Sequence, residues 1–279
     1  MAFRYTRPRL RHNLLTLILL AIMVAIGSTD AFAEAWRRLV TTLPEPALLI
    51  GGSLVLHLIT FWGLAALYHV VDARDWPRFI AKHRIQDGPR RRPPTGRVLR
   101  VVLLNQLFWS PMMLVGMTGA LLARGWSASP ELPGVGRLVL ELAGLGACSV
   151  LVFYTTHRFL HRPWWMKHVH RVHHEFRTTG ALASEYAHPF EFCVGNFLTL
   201  ALGVVVLAPS LASIYAFTVL GIMTVVVHHG GYAIPWAPWP VHHDWHHHRF
   251  NEMFGTLGVL DRLLGTDGSF RSFTDGEVR

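Results

Sequence analysis

The chain carries 18 histidines, and most are gathered into two windows. Six lie between His157 and His174, and five between His242 and His248. Their spacing is that of helix faces. His157 and His161 stand at i and i+4, His170, His173 and His174 at i, i+3 and i+4, and His243, His246 and His247 repeat that pattern. Residues three and four apart on a helix are neighbours, so each run presents a row of imidazoles. Neutral imidazole is a ligand for Zn, Cu, Fe and Ni. Eight such ligands exceed the coordination of one ion, so two ions are the economical reading. Both windows are internal, which argues against a purification tag.

The surrounding residues narrow the chemistry. Structural zinc sites usually include cysteine. The two cysteines here, Cys148 and Cys193, sit far apart in apolar stretches and read as buried, inert thiols. The His-Glu-x-x-His pattern of a metalloprotease is absent. Haem needs one or two axial histidines rather than eight. Transporters place their ligands inside the spans, whereas these clusters fall at span ends. A membrane transporter or sensor handling Zn or Cu is the rival reading; only His57 and Glu141 come close to its polar in-span ligands. Non-haem di-iron remains. Metal cofactors supply the oxidative chemistry that side chains lack.

The elements that must position these residues are membrane helices. About half of the chain is hydrophobic and 15% is charged, against about 25% charged in ordinary soluble domains. An apolar stretch from Leu14 to Gly27 follows the basic run Arg4, Arg7, Arg9 and Arg11. It reads as an uncleaved first helix running on to Val40, the alternative being a signal peptide ending near Ala31-Phe32-Ala33. Ala47 to Val71, Val101 to Ala123 and Leu138 to Thr156 are further spans. Cys193 to Leu207 and Leu211 to Val227 form a pair broken at Ala208-Pro209-Ser210, which predicts a helical hairpin. The fold class is therefore all-α integral membrane, with multi-pass helices (four plus a hairpin) and a histidine-rich helical cap holding a dimetal site. Residues 1–156 form the transmembrane region, and residues 157–279 the histidine-rich catalytic region, including the hairpin 193–227.

The charge gives sidedness. The segment Arg74 to Arg100 holds nine Arg or Lys, including Arg90-Arg91-Arg92-Pro93-Pro94, and reads as an exposed cytoplasmic loop. Cationic loops stay inside, so the N-terminus, this loop and the histidine clusters face the cytoplasm. The net charge of +9 fits that rule, and also fits a dock for anionic headgroups or an acidic electron donor. No basic and aromatic nucleic-acid module accompanies it. Trp164, Trp165, Trp236 and Trp239 read as interfacial anchors, and Pro235, Pro238 and Pro240 stiffen the loop before the last cluster. Arginine dominates lysine, with only Lys82 and Lys167 present. That bias suggests a GC-rich bacterial source, hence a bacterial inner membrane rather than the endoplasmic reticulum.

At its histidines the chain resembles the membrane fatty acid hydroxylase superfamily, and within it the C4-methylsterol oxidase (sterol desaturase-like) branch. The resemblance is carried by His157-Arg158-Phe159-Leu160-His161, His170-Arg171-Val172-His173-His174-Glu175, Glu185-Tyr186-Ala187-His188-Pro189-Phe190-Glu191, His229-Gly230-Gly231-Tyr232 and His243-Asp244-Trp245-His246-His247. Phe254-Gly255-Thr256-Leu257, Asp261 to Asp267, Lys82 to Gln86 and Asn105-Gln106 also fit. The resemblance implies a di-iron oxygenase that uses O2 and two electrons, supplied by a cytochrome b5-type or ferredoxin-type donor. It acts on a lipid from the bilayer, either a sterol or a fatty acyl chain. Histidine sites also accept zinc, so zinc can substitute for iron in purified protein. It further implies that His188 and His229 join the eight ligands. The neighbouring His228 leaves the register at His229 open, and His168, His242 and His248 are further extras. Glu175, Glu185, Glu191, Asp244 and Asp261 are candidates to accept N–H bonds from ligand imidazoles. Their alternative role is an ordinary ion pair with Arg158, Arg171 or Arg262.

Overall fold

A computed structural model describes residues 14–234 and 239–275. The basic run Arg4–Arg11, and Pro235, Trp236 and Pro238, lie outside the described residues. Among the described residues the chain is all-helical, with no β-strand; an isolated antiparallel bridge pairs Arg84 with Tyr232.

The first apolar stretch does not form one long helix. Helix α1 (Leu14–Gly27) ends at Ser28-Thr29, and α2 (Asp30–Thr42) starts anew. The hydroxyls explain the break. Ser28 Oγ donates to the Val24 carbonyl at 2.7 Å, and Thr29 Oγ1 donates to that of Ile26 at 2.8 Å. Thr29 Oγ1 then caps α2 by accepting the Phe32 N–H at 3.3 Å. Short hydroxyl side chains compete with the helix ladder in this way. At about 1.5 Å per residue, α1 alone falls short of a bilayer core of about 30 Å.

Five helices are long and apolar enough to cross a membrane: α3 (Ala47–Arg74), α4 (Thr95–Ala123), α5 (Val135–Leu160), α6 (Pro189–Leu207) and α7 (Leu211–His229). Three carry π-helical turns, at Ala47–Gly52, Asn105–Trp109 and Phe192–Phe197. The hairpin turn between α6 and α7 lies at Ala208-Pro209-Ser210. Ala208 sits in the left-handed region at φ 47°, Pro209 has no N–H to continue the ladder, and Ser210 caps α7 by accepting the Ser213 N–H. Each arm is longer than its apolar run, because the helices continue into the polar residues of the site.

Hydrogen bonds sort the connections to two ends. At one end the Trp126 indole N–H donates to the Pro209 carbonyl at 2.8 Å, and Glu141 Oε2 accepts the Ser210 hydroxyl at 2.7 Å. There too the Ala128 N–H donates to Glu45 Oε1 at 3.0 Å. At the other end lie the C-termini of α3, α5 and α7, the start of α4 and α6, and every histidine group described below. Close approach within the bundle uses small residues: a Cβ added to Gly203 of α6 would meet the Cβ of Cys148 on α5 at 3.0 Å. Both cysteines are free. Beyond the spans, α8 (Pro240–Arg249) carries the last histidine cluster, followed by α9 (Val259–Leu264) and α10 (Gly268–Asp275).

Candidate metal centre

Helix α5 leaves the bundle with His157 in its last turn and His161 at its C-cap, one turn apart on one face. The His170–His174 segment is not one α-helix. It is a π-helical turn over Met166–His170 followed by a 3-10 turn over His173–Glu175. His229 ends α7, and α8 presents His243, His246 and His247.

Nine of these side chains converge as two adjacent groups. His157, His161, His170, His174 and His246 form the first, and His173, His229, His243 and His247 the second. In each group one nitrogen from every ring lies within 4.8 Å of the others. Sequence neighbours divide between groups: His173 and His174 part, as do His246 and His247. The groups therefore share a wall, with the His174 and His247 ring centroids 4.8 Å apart. All nine are buried except His161, which is half-buried.

The chemistry of these donors fits a cation. Six rings point Nδ1 at an oxygen. His157 meets the Phe254 carbonyl at 2.7 Å, His170 meets Glu191 Oε1 at 2.8 Å, and His173 meets the Tyr186 carbonyl at 3.2 Å. His229 meets the Val225 carbonyl at 2.7 Å, His246 that of Glu252 at 2.7 Å, and His247 that of Phe176 at 2.8 Å. An oxygen acceptor requires the proton on Nδ1, which leaves a bare lone pair on Nε2. Yet two of these Nε2 atoms, those of His229 and His173, face each other at 3.3 Å. The Nε2 of His157 is buried with no partner. Facing lone pairs without a proton between them repel, and a cation between them removes that repulsion. Burial also holds the rings neutral. It pushes His161, His170, His174, His243, His246 and His247 below the ordinary imidazole value, and neighbouring histidines add to the shift in each case.

The remaining sequence candidates lie elsewhere. His188 joins neither group; its Nδ1 caps α6 by accepting the Phe190 N–H at 3.2 Å. His229, not His228, takes part. His228 is buried without joining either group, and His242 packs its ring 5.0 Å from Phe270. Of the five carboxylates only Glu191 meets a grouped imidazole. Glu175 pairs with Arg97 at 2.9 Å and accepts the Tyr186 hydroxyl at 2.7 Å. Glu185 meets His57 at 2.6 Å. Asp244 accepts the Thr179 hydroxyl. Asp261 accepts the N–H groups of Phe254 and Gly255 at 2.7 and 2.8 Å, and so shapes the loop whose carbonyl holds His157. Most ring-orienting acceptors are thus backbone carbonyls. No side-chain pattern announces these, although the resemblance of the Phe254-Gly255 segment marks the loop.

A cavity opens between the groups and the spans. Phe153 and Leu160 of α5, Gly195 of α6 and Val225 of α7 form its apolar wall. His157 and His170 of the first group and His173, His229 and His243 of the second form its floor. Glu191 lines it too, with Oε2 buried and unpartnered.

Comparison with known proteins agrees with this geometry. Residues 143–266 match the model of the fatty acid hydroxylase family. The human fatty acid hydroxylase domain-containing protein 2 is 37% identical over 256 residues, covering 88% of this chain and 75% of that protein. Methylsterol monooxygenase 2-2 of Arabidopsis thaliana is 30% identical over 254 residues, covering 86% of this chain and 94% of that protein. The very-long-chain aldehyde decarbonylase GL1-11 of Oryza sativa subsp. japonica is 31% identical over 262 residues, covering 88% and 95%. No solved structure matches. A histidine-rich all-helical membrane protein with this much shared sequence has one placement: the chain belongs to the fatty acid hydroxylase family.

Proposed function

We propose that the chain is a membrane-bound di-iron oxygenase that hydroxylates a C–H bond of a lipid, a sterol or a fatty acyl chain. The observation that carries this reading is the pair of adjacent all-imidazole groups, which together line the floor of one cavity whose wall is formed by Phe153, Leu160 and Val225 of the spans. His157, His161, His170, His174 and His246 would hold one ion, and His173, His229, His243 and His247 the other. Iron bound there would supply the redox chemistry: O2, two electrons and two protons place one oxygen atom in the C–H bond and leave the other as water.

The chain's own part is positioning and exclusion. The carbonyls of Phe254, Tyr186, Val225, Glu252 and Phe176 fix ring tautomers, and Glu191 does the same for His170. Such outer partners raise ligand basicity and orient the rings. Phe153, Leu160 and Val225 exclude water and accept an apolar substrate from between the spans. The basic segment 74–100 belongs to the histidine end of the bundle, which by the positive-inside rule supports a site facing the cytoplasm. A soluble or membrane-tethered donor of the cytochrome b5 or ferredoxin type would reach it there, in a bacterial inner membrane on the arginine-rich composition.

The test is metal content and turnover together. Protein from iron-replete cells, given a reductant, O2 and a mixed sterol and fatty acid extract, is expected to bind two irons per chain and form a hydroxylated lipid. Tight zinc binding with no oxygenated product after iron reconstitution would support a metal-handling protein instead.

A further inference from the structure

Outside the histidine groups, a buried polar cluster surrounds Glu185 and the two residues after it. Asn105 is fully buried and donates both amide hydrogens, to the Glu185 carbonyl at 2.9 Å and to the Ala187 carbonyl at 3.0 Å. Between these carbonyls lies that of Tyr186, which accepts Nδ1–H of His173. Gln106 donates to Glu185 Oε2 at 2.7 Å and accepts the Trp62 indole N–H at 2.9 Å. His57 closes the set on Glu185 Oε1 at 2.6 Å. His57 and Trp62 belong to α3, and Asn105 and Gln106 to α4, two spans that give no member to either histidine group.

We propose that Asn105, backed by Gln106 and His57, is a positioning residue for His173. Through the strap Glu185-Tyr186-Ala187, α3 and α4 set the second histidine group. The inference rests on the two-metal reading above.

The argument is geometric. His173 can turn Nε2 toward His229 only while the Tyr186 carbonyl faces its Nδ1. Pinning the carbonyls on either side fixes the peptide planes that carry it. Only the nitrogen end of an amide can serve two carbonyls, so the side-chain orientation is dictated. Asn105 Oδ1 is left buried and unpartnered. A buried polar atom without a partner is costly. Asn105 is therefore explained by what it clamps and not by its own satisfaction. The π-helical turn begins at Asn105, and such turns concentrate at functional positions. The strap is held from its other side as well, by the Tyr186 hydroxyl on Glu175.

The experiment titrates full-length, metal-stripped protein in detergent with iron(II) or zinc and counts tightly bound ions. Wild type is expected to take up two. In Asn105→Leu the first ion binds as before, and the second is lost or weakened about 10-fold to 100-fold, the usual cost of removing an outer-shell partner. Thr118→Val is the control: Thr118 is equally buried in α4, its hydroxyl has no partner, and this variant keeps both ions. His173→Ala loses the second ion, and adding Asn105→Leu to it changes nothing more, because both act on one ligand. Unchanged binding of two ions by Asn105→Leu overturns the inference. So does equal weakening of both sites, which marks a general structural role. If Asn105→Leu does not fold, Asn105→Asp, which keeps the size and leaves at most one donor for the two carbonyls, is read in the same way. A wild-type protein that binds no second ion defeats the two-metal reading itself, a distinct result, and the inference falls with it.

Discussion

The division of neighbouring histidines follows from the angle between residues on a helical turn. Residues at i and i+4 point nearly the same way, and a residue at i+3 points to the other side of them. So on α5 His157 stays with His161, and on α8 His243 stays with His247 while His246 crosses to the opposite group; the π-helical and 3-10 turns at His170–His174 likewise part His173 from His170 and His174. The spacing makes eight of the nine members legible in the sequence. It does not tell which ion each faces, because that depends on how three separate segments meet. His229 became visible only through resemblance, since it stands alone at the end of an apolar helix. Glu191 is the residue to perturb. Glu191→Leu removes the acceptor for His170 Nδ1 and frees that ring's tautomer, with metal affinity expected to fall about 10-fold to 100-fold. Glu191→Gln keeps an oxygen acceptor and should lose much less; calorimetric titration of both variants checks this, and equal losses would contradict the orienting role. The neutral rings also make a pH prediction. In the unfolded chain His161, His170, His174, His243, His246 and His247 take up protons below about pH 6.5. In the fold their values are depressed, so the unfolded state binds more protons there and stability drops as pH falls. Metal-free protein in detergent should unfold at a lower temperature at pH 5.5 than at pH 7.5. A midpoint that stays level between these values would mean the rings are not held neutral.

At the scale of elements, the apolar runs located α3 to α7 but misjudged their ends. The spans extend past their apolar stretches at the site end: α5 from Thr156 to Leu160, α7 from Val227 to His229, and α6 back from Cys193 to Pro189. Polar residues continue these helices because tertiary contacts satisfy them, which hydropathy cannot register. The first stretch erred the other way, since Ser28 and Thr29 end a helix that hydropathy alone would continue. The π-helical turns were also hidden, as they arise from packing rather than from residue type. Helix contact gives the prediction at this scale. Gly203 lets α6 approach α5, and any branched side chain there strikes Cys148 and Leu145. Gly203→Val should cost about 1–3 kcal/mol, the usual penalty for overpacking. Thermal unfolding of the purified variant would report it, with Gly146→Val as a control, since nothing lies within 4 Å of a Cβ there. Equal behaviour of the two variants would count against close α5–α6 packing.

The whole molecule depends on the segment between α3 and α4, which composition alone describes as an exposed cationic loop. Arg91 is exposed, but Arg90 and Arg92 are half-buried, and both pair with Asp72 at the end of α3. Arg92 also donates to the carbonyls of Thr178 and Thr179, just beyond the His170–His174 segment. The Arg91 carbonyl accepts the N–H groups of Arg177 and Thr178 at 3.1 and 3.2 Å. The Arg90 guanidinium further donates to the Tyr232 hydroxyl at 3.0 Å, reaching the chain just after His229. The run of arginines is therefore a staple joining the end of α3 to the segments that follow both histidine groups. Its charge is plain in the sequence; its role is not, because the partners are distant carbonyls and one carboxylate. Arg92→Ala leaves two carbonyls and one Asp72 oxygen without their charged donor, and such bonds contribute about 1.5–3 kcal/mol each at most. Arg92→Lys keeps the charge but cannot reach three acceptors with a planar fork. The expected order of thermal stability is wild type, then Arg92→Lys, then Arg92→Ala, with metal released more readily in the same order. Arg91→Ala, which removes an exposed side chain and leaves the bonded backbone in place, should match wild type. If Arg91→Ala fell as far as Arg92→Ala, net positive charge would be the cause, and the staple would have no separate role.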